Sequence, residues 1–127
     1  MPEPEHRGVL VVEDEKELRS LFALLLEGED FTVFQAQDGQ SALDVFRAHA
    51  GDIELMITDL GIPEIAGVDL IARARSINPG VKIIGTSGLG GAKVKQIVMQ
   101  AGADAFLPKP CSIHDILKTV HDVMKSS

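Results

Sequence analysis

Val9-Leu10-Val11-Val12-Glu13-Asp14 is an unbroken apolar run that stops at two acids. A run this short, rich in β-branched residues, reads as a strand covered on both faces. Directly after it, Leu18, Leu21, Phe22 and Leu25 recur at the spacing of one helical face between Glu15 and Glu27. A buried strand feeding an amphipathic helix is the repeating unit of a parallel sheet.

Outward from that unit the pattern recurs. The first strand is expected at about residues 8–13. Phe31-Thr32-Val33-Phe34-Gln35-Ala36 reads as a second strand, and after Asp38-Gly39 a second helix is expected to bury Ala42, Leu43, Phe46 and Ala50. A third strand at about 53–58 ends at Asp59. Gly61, Pro63 and Gly67 mark a loop, and Leu70, Ile71, Ala74 and Ile77 mark a third helix that stops at Asn78-Pro79-Gly80. A fourth strand at about 81–86 runs into Ser87 and a loop made pliable by Gly88, Gly90 and Gly91. Val94, Ile97, Val98 and Ala101 form the next helical stripe, and a short fifth strand at about 104–107 leads to Pro108-Lys109-Pro110. Ser112 and Asp115 signal a capping box for the last helix, with Ile113, Ile116, Leu117, Val120 and Met124 as its inner face.

Strict alternation implies parallel strands joined by right-handed crossovers, with helices on both sides. Ligands of such sheets bind beyond the C-terminal strand ends, where strand order reverses. Glu13, Asp14, Asp59, Ser87 and Lys109 all fall at those ends. Carboxylates gathered there repel each other by roughly 3 kcal/mol per pair at ~5 Å in an effective dielectric of about 20. The cluster makes sense if a divalent cation sits among the acids and an anion arrives beside the lysine.

Composition narrows the field. The chain has 127 residues, enough for one domain with a real core, and 45% are apolar. A net charge of -7 argues against direct binding to nucleic acid. No apolar run is long enough to cross a bilayer, and the polar, acidic start Met1-Pro2-Glu3-Pro4-Glu5-His6-Arg7 does not resemble a secretory signal, so a cytoplasmic location is expected, without membrane contact. Cys111 is the only cysteine, expected as a structural or free thiol. His6, His49, His114 and His121 show no metal-ligand spacing and are expected to be solvated.

Glu13-Asp14, Asp59-Leu60-Gly61-Ile62-Pro63 with Gly67, Thr86-Ser87-Gly88, Gly102-Ala103-Asp104, and Phe106 with Lys109-Pro110 together resemble the receiver domains (CheY-like) of two-component response regulators. The resemblance covers nearly the whole chain, in order. It implies a three-layer, flavodoxin-like, doubly wound (βα)5 fold with a parallel five-stranded sheet in order 2-1-3-4-5. Residues 8–125 would be the receiver and 1–7 a flexible tail. Asp59 would be the phosphoacceptor, taking a phosphoryl group from the phosphohistidine of a histidine kinase or phosphotransfer protein. Asp14 and Asp59 would bind Mg2+ directly, Glu13 through water, and Gly61 through its carbonyl. Lys109 would pair with Asp59 before phosphorylation and with the phosphoryl group after it, and the Lys109-Pro110 peptide would be cis. Ser87 would bond a phosphoryl oxygen, with Thr86 pointing to the opposite face, and Phe106 would be the switch aromatic. The readout face would be the fourth helix, fifth strand and fifth helix, with Lys93, Lys95 and Lys118 as its charges. Leu89, unable to orient water, implies a long-lived phosphate.

The residues also admit plainer readings. Asp14 with Glu17 three residues on is a capping signal for the first helix, compatible with metal binding. Phe106 also reads as a plain core residue. A phosphorylation-independent pseudo-receiver is one alternative, which the intact set of Asp14, Asp59, Ser87 and Lys109 opposes. A small Mg-dependent aspartyl phosphohydrolase is another, but it needs a second acid where Gly61 stands. A nucleotide-binding module is disfavoured because Glu13-Asp14 occupies the place of a glycine-rich loop. The expected protein is thus a signalling switch that catalyses its own phosphorylation and dephosphorylation, not an enzyme turning over a metabolite. With no room for a DNA-binding output domain, its output is expected through a downstream protein, or the chain is a piece of a larger regulator or hybrid kinase.

Overall fold

The computed structural model describes residues 7–61, 67–88 and 92–125. His6, Ile62, Pro63, Leu89, Gly90 and Gly91, singled out above, lie outside the described residues. The elements alternate without exception: β1 (Arg7–Val12), α1 (Lys16–Glu27), β2 (Phe31–Ala36), α2 (Gly39–Ala48), β3 (Ile53–Asp59), α3 (Gly67–Ile77), β4 (Lys82–Ser87), α4 (Ala92–Ala101), β5 (Ala105–Pro108) and α5 (Ile113–Lys125). The strands form one parallel sheet in the order β2-β1-β3-β4-β5. This is the flavodoxin-like architecture expected from the resemblance, with β1 and β3 at its centre.

Strand alternation sorts the core into two layers. Leu10, Val12, Met56 and Ile83 face α2, α3 and α4, where they meet Leu43, Phe46, Leu70, Ile71 and Val98. Val9, Val11, Leu55, Ile57 and Ile84 face α1 and α5, where they meet Phe22, Leu26, Ile116 and Val120. The central strands are apolar at consecutive positions because both of their faces are covered.

Several helix faces differ from the periodicity reading. In α1 the buried residues are Phe22, Ala23 and Leu26, while Leu21 is exposed. A helix this rich in leucine offers more than one apolar stripe, and the buried one runs through Phe22, Ala23 and Leu26. Ile77 at the end of α3 and Ile113 at the start of α5 are exposed, and Ala50 lies beyond the end of α2. In α4 only Val98 is fully buried, and Ile97 is exposed. That helix lies over the β4–β5 side, where the four-residue β5 offers little surface to cover. The capping box of α5 forms as expected: Asp115 N donates to Ser112 Oγ (3.0 Å) and Ser112 N to Asp115 Oδ2 (3.3 Å).

Candidate functional site

Strand register brings the site together. Val12 lies beside Thr58, Asp59 beside Thr86, and Ser87 beside Pro108. One step past each pairing therefore sets Glu13, Asp59, Ser87 and Lys109 in a row along the C-terminal edge of the sheet. Main-chain bonds continue the ladder into the loops: Glu13 N to Ala36 O (3.0 Å), Leu60 N to Thr86 O (3.0 Å) and Lys109 N to Ser87 O (2.8 Å). Gly67 holds the far side of the Asp59 loop. A Cβ there would stand 2.6 Å from Leu60 Cα and 2.8 Å from Asp59 O, so α3 starts this close to Asp59 only because the residue is glycine.

Glu13, Asp14 and Asp59 each present a carboxylate oxygen within 4.8 Å of the others. Glu13 is buried, Asp59 half-buried and Asp14 exposed. Lys109 reaches into this cluster, with Nζ 2.6 Å from Glu13 Oε1 and 3.3 Å from Asp59 Oδ2. The expected Lys109–Asp59 pair is present, but the closer partner is Glu13. Among the described residues Lys109 is the cation paired with these three carboxylates, and one ammonium balances only one of them. Hard oxygens in that number and charge suit a small divalent cation.

The electrostatics follow from burial and crowding. Burial is the main force raising the Glu13 carboxyl above its ordinary range; hydrogen bonds from Lys109 and the Glu15 amide oppose it, and Asp14 and Asp59 reinforce it. Burial disfavours the Lys109 ammonium, but the Glu13 hydrogen bond and the fields of Asp59 and Glu13 outweigh this and hold it above its usual range. Lys109 therefore stays charged. Cys111, beside it in sequence, is pushed up by burial and by Asp115 and remains a thiol.

Glu13 also performs a task that sequence reasoning assigned to Asp14. Its Oε2 accepts from Glu15 N (3.0 Å), and the N-cap residue of α1 is Glu15, which makes no side-chain cap of its own. Asp14 is not the cap. The glutamate reaches forward to the amide two residues on, while Asp14 is exposed. Arg19 was also missed: its Nη1 donates to Glu13 O at 2.8 Å. Asking which group satisfies a carbonyl just past a strand end would have pointed to it.

Ser87 is buried and shares a cleft of about 460 Å³ with Asp59, Leu60, Gly61, Val94, Ile97 and Lys109. In β4, Ile83 faces α3 and α4 whereas Ile84 faces α1 and α5, so Thr86 lies on the face opposite Ser87, as alternation requires. Phe106 packs partly buried against the α2–α4 layer and pairs in register with Gly85, one pleat below Ser87. Its outer side lines a groove of about 360 Å³ with Lys95, Met99, Thr119 and Asp122. Gly61 N donates to Asp59 Oδ1 at 3.4 Å. The Lys109-Pro110 peptide is cis. Of the histidines, His49 stacks on Phe34 at 4.5 Å and His121 pairs with Glu29 at 2.7 Å, so both have partners that sequence did not reveal. Lys118, expected as a readout charge, pairs with Asp122 (2.9 Å). No helix among the described residues is long and apolar enough to cross a membrane.

Comparison with known proteins agrees with this fold. Residues 9–121 match the response regulator receiver domain family. The chain is 30% identical over 119 residues to the transcriptional regulatory protein CpxR of Escherichia coli (strain K12), covering 94% of this chain and 50% of that protein. It is 29% identical over 117 residues to the sensor kinase CckA of Brucella abortus (strain 2308), covering 92% of this chain and 12% of that protein. The chain thus spans half or less of the length of these curated relatives. Among solved structures, a response regulator receiver domain protein from Clostridium thermocellum superposes with a TM-score of 0.86 at 25% identity, covering 94% of both chains. A CheX-CheY-BeF3-Mg+2 complex from Borrelia burgdorferi shares the fold, with a TM-score of 0.87 at 23% identity over 93% of this chain and 89% of that one.

Proposed function

This chain belongs to the response regulator receiver domain family, and we propose that it acts as a phosphoacceptor switch with Asp59 as the modified residue. The observation that carries this reading is Lys109 Nζ lying 3.3 Å from Asp59 Oδ2 beside two further acids whose charge the lysine alone does not balance. Asp14 and Asp59 would hold Mg2+, with Glu13 acting through water and Gly61 through its carbonyl. When bound, the cation neutralises the acids and the charge building on the transferring phosphoryl oxygens.

The chain's own residues do the rest. An Asp59 carboxylate oxygen attacks phosphorus, forming an acyl phosphate. The P–N bond to the donor histidine breaks, and its electron pair stays on the ring nitrogen. Lys109 is already charged and within reach, so it exchanges a carboxylate partner for a phosphoryl oxygen. Its second partner, Glu13, holds it in place while Asp59 is consumed. Ser87, at the neighbouring strand end, supplies a hydroxyl to another phosphoryl oxygen. Phosphorylation adds charge and strong acceptors, contacts the unmodified form lacks, and so biases a two-state element. That element would be the segment after Ser87, α4 and Phe106, one pleat below Ser87 on the same face. The face formed by α4, β5 and α5 would be read by a downstream protein, with Lys93 and Lys95 exposed on α4. The donor would be a histidine kinase or phosphotransfer protein.

The test is to add Mg2+ and beryllofluoride and follow backbone amide shifts. Changes are expected at Asp59, Ser87 and Phe106 in the wild type and not in Asp59→Asn. No response in the wild type, or the same response in the variant, ends this reading.

A further inference from the structure

The peptide that joins the acid pair lies past the end of its strand. β1 pairs through Val12, and α1 begins at Lys16, so the chain turns from strand to helix within three residues. That turn is three acids in a row, Glu13, Asp14 and Glu15, the first two of which belong to the carboxylate cluster. Glu15 O accepts from Arg19 N (2.9 Å) as the helix begins, and further bonds of the turn fall on Glu13: its amide donates to Ala36 O (3.0 Å), its carboxylate accepts from Glu15 N (3.0 Å) and Lys109 Nζ (2.6 Å), and its carbonyl accepts from Arg19 Nη1 (2.8 Å). Only the last of these is a side chain holding the main chain between Glu13 and Asp14.

We propose that Arg19 is a positioning residue for the cation site: by gripping the Glu13 carbonyl it sets the plane of the Glu13–Asp14 peptide and hence where the Asp14 carboxylate is presented. This rests on the reading of Glu13, Asp14 and Asp59 as a Mg2+ site. A carbonyl oxygen is part of the same rigid amide plane as the next residue's N and Cα. Fixing it therefore fixes the base from which the exposed Asp14 side chain departs. Arg19 suits the task because it is itself held. It is half-buried, its Nη1 is bonded to Glu13 O, and it borders a small cleft whose other walls are Gln35, Ala36, Gln37 and Ser41 of the β2–α2 connection. Ala36, in that wall, also takes the Glu13 amide, so the same wall supports both ends of the Glu13 main chain.

Charge and position predict opposite signs, and this makes the proposal testable. A guanidinium near a cation site repels the cation, so a purely electrostatic Arg19 would weaken binding and its removal would tighten it. A positioning Arg19 does the reverse. The experiment titrates Mg2+ into the full chain at fixed ionic strength and reads affinity from the amide shifts of Asp14 and Asp59, with thermal melting in the absence of Mg2+ as a control for folding. Arg19→Met is expected to weaken Mg2+ binding on the order of tenfold, as loss of a group orienting a metal ligand does. Unchanged or tighter binding in a folded Arg19→Met overturns the proposal. Should that variant not fold, Arg19→Lys carries the test: it keeps the charge on a side chain that ends one bond short of the Nη1 gripping Glu13 O, so weaker binding supports positioning and equal binding overturns it. A wild type that shows no Mg2+-dependent shifts is a different result. It removes the cation site itself, and this inference with it.

Discussion

Each end of the sheet carries a cluster of charged side chains, and the two are built in opposite ways. At the N-terminal end of β4 and β5, Arg75 donates to the carbonyls of Pro79 (3.0 Å), Val81 and Gly102 (2.7 Å) and to Asp104 Oδ2 (2.9 Å). Asp104 Oδ2 in turn accepts from Ile83 N (2.8 Å), and its own amide donates to Ile83 O (2.7 Å). One cation meets one acid, and their remaining capacity goes to backbone. At the C-terminal end, among the described residues, three clustered carboxylates share one paired ammonium, while the Arg19 guanidinium is held on the Glu13 carbonyl, so acid remains in excess. The first cluster is electrically balanced and stitches the α3, α4 and β5 termini together. The second is left unbalanced where a ligand arrives. A fold stores structural charge where the account closes and reactive charge where it does not.

Breaking each cluster should therefore move stability in opposite directions. Arg75→Met is expected to destabilise the protein by about 2 kcal/mol, a value that already allows for hydration of a partly exposed pair. Urea denaturation reads this. The amide shifts caused by Mg2+ and beryllofluoride should be unchanged in the variant, because Arg75 lies at the far end of the strands. Native-like stability would mean that the Arg75 cluster is not structural, and loss of the beryllofluoride response would mean that the two ends are not separate.

Asp14→Asn should do the reverse at the other end. Removing one of three mutually repelling acids is expected to raise stability without Mg2+ by about 1 kcal/mol, the Coulomb figure for such a pair reduced because Asp14 is exposed. The same variant should lose the stabilisation that Mg2+ gives the wild type, since a ligand stabilises only the state that binds it. Paired melts with and without Mg2+ decide the matter. A variant less stable than the wild type in metal-free buffer would show that Asp14 has a structural role, which its exposure argues against.

Much of this contrast was legible in the residues, and the illegible part has physical causes. Residues 9–12 and 55–57 announce central strands because consecutive apolar residues are needed where both faces are covered. Strand ends then located Glu13, Asp14, Asp59, Ser87 and Lys109 together. Helix faces were less legible: Leu21, Ile97 and Ile113 obey helical spacing and are nonetheless exposed. Periodicity says that a face exists, whereas its rotation is set by neighbouring elements, such as Gly85, where a Cβ would stand 2.6 Å from Val98 Cγ1. Arg75 and Arg19 were invisible for a different reason. Most of their partners are backbone carbonyls, which every residue carries and which no sequence pattern marks. Glu13 as amide acceptor and lysine partner was hidden by side-chain length: a glutamate reaches forward to Glu15 N, and two carboxyl oxygens serve two donors.

The same division between reactive and structural charge appears, at smaller scale, in two carboxylates that do the same job. Glu13 receives the Glu15 amide at the start of α1, and Asp38 receives the Ser41 amide (2.7 Å) at the start of α2. Their acidities move apart. The Ser41 backbone bond, reinforced by the Ser41 side chain, holds Asp38 below its ordinary 3.8, whereas burial among other acids lifts Glu13 above its ordinary 4.5. For Asp38 the folded value lies below the unfolded one. Its contribution is therefore present above pH 3.8 and is lost as pH falls through the lower, folded value. For Glu13 the sign is opposite: its contribution is complete below pH 4.5 and is lost as pH rises through the folded value. The expected effect at Asp38 is local and the smallest of those considered, so the readout should be local too. The Ser41 amide shift, followed from pH 6 downward, should titrate with a midpoint below that of an ordinary aspartate, and Asp38→Asn, which caps without titrating, should abolish the step. An ordinary midpoint in the wild type, or a step that survives the substitution, would show that the cap bond is not what sets this group's acidity.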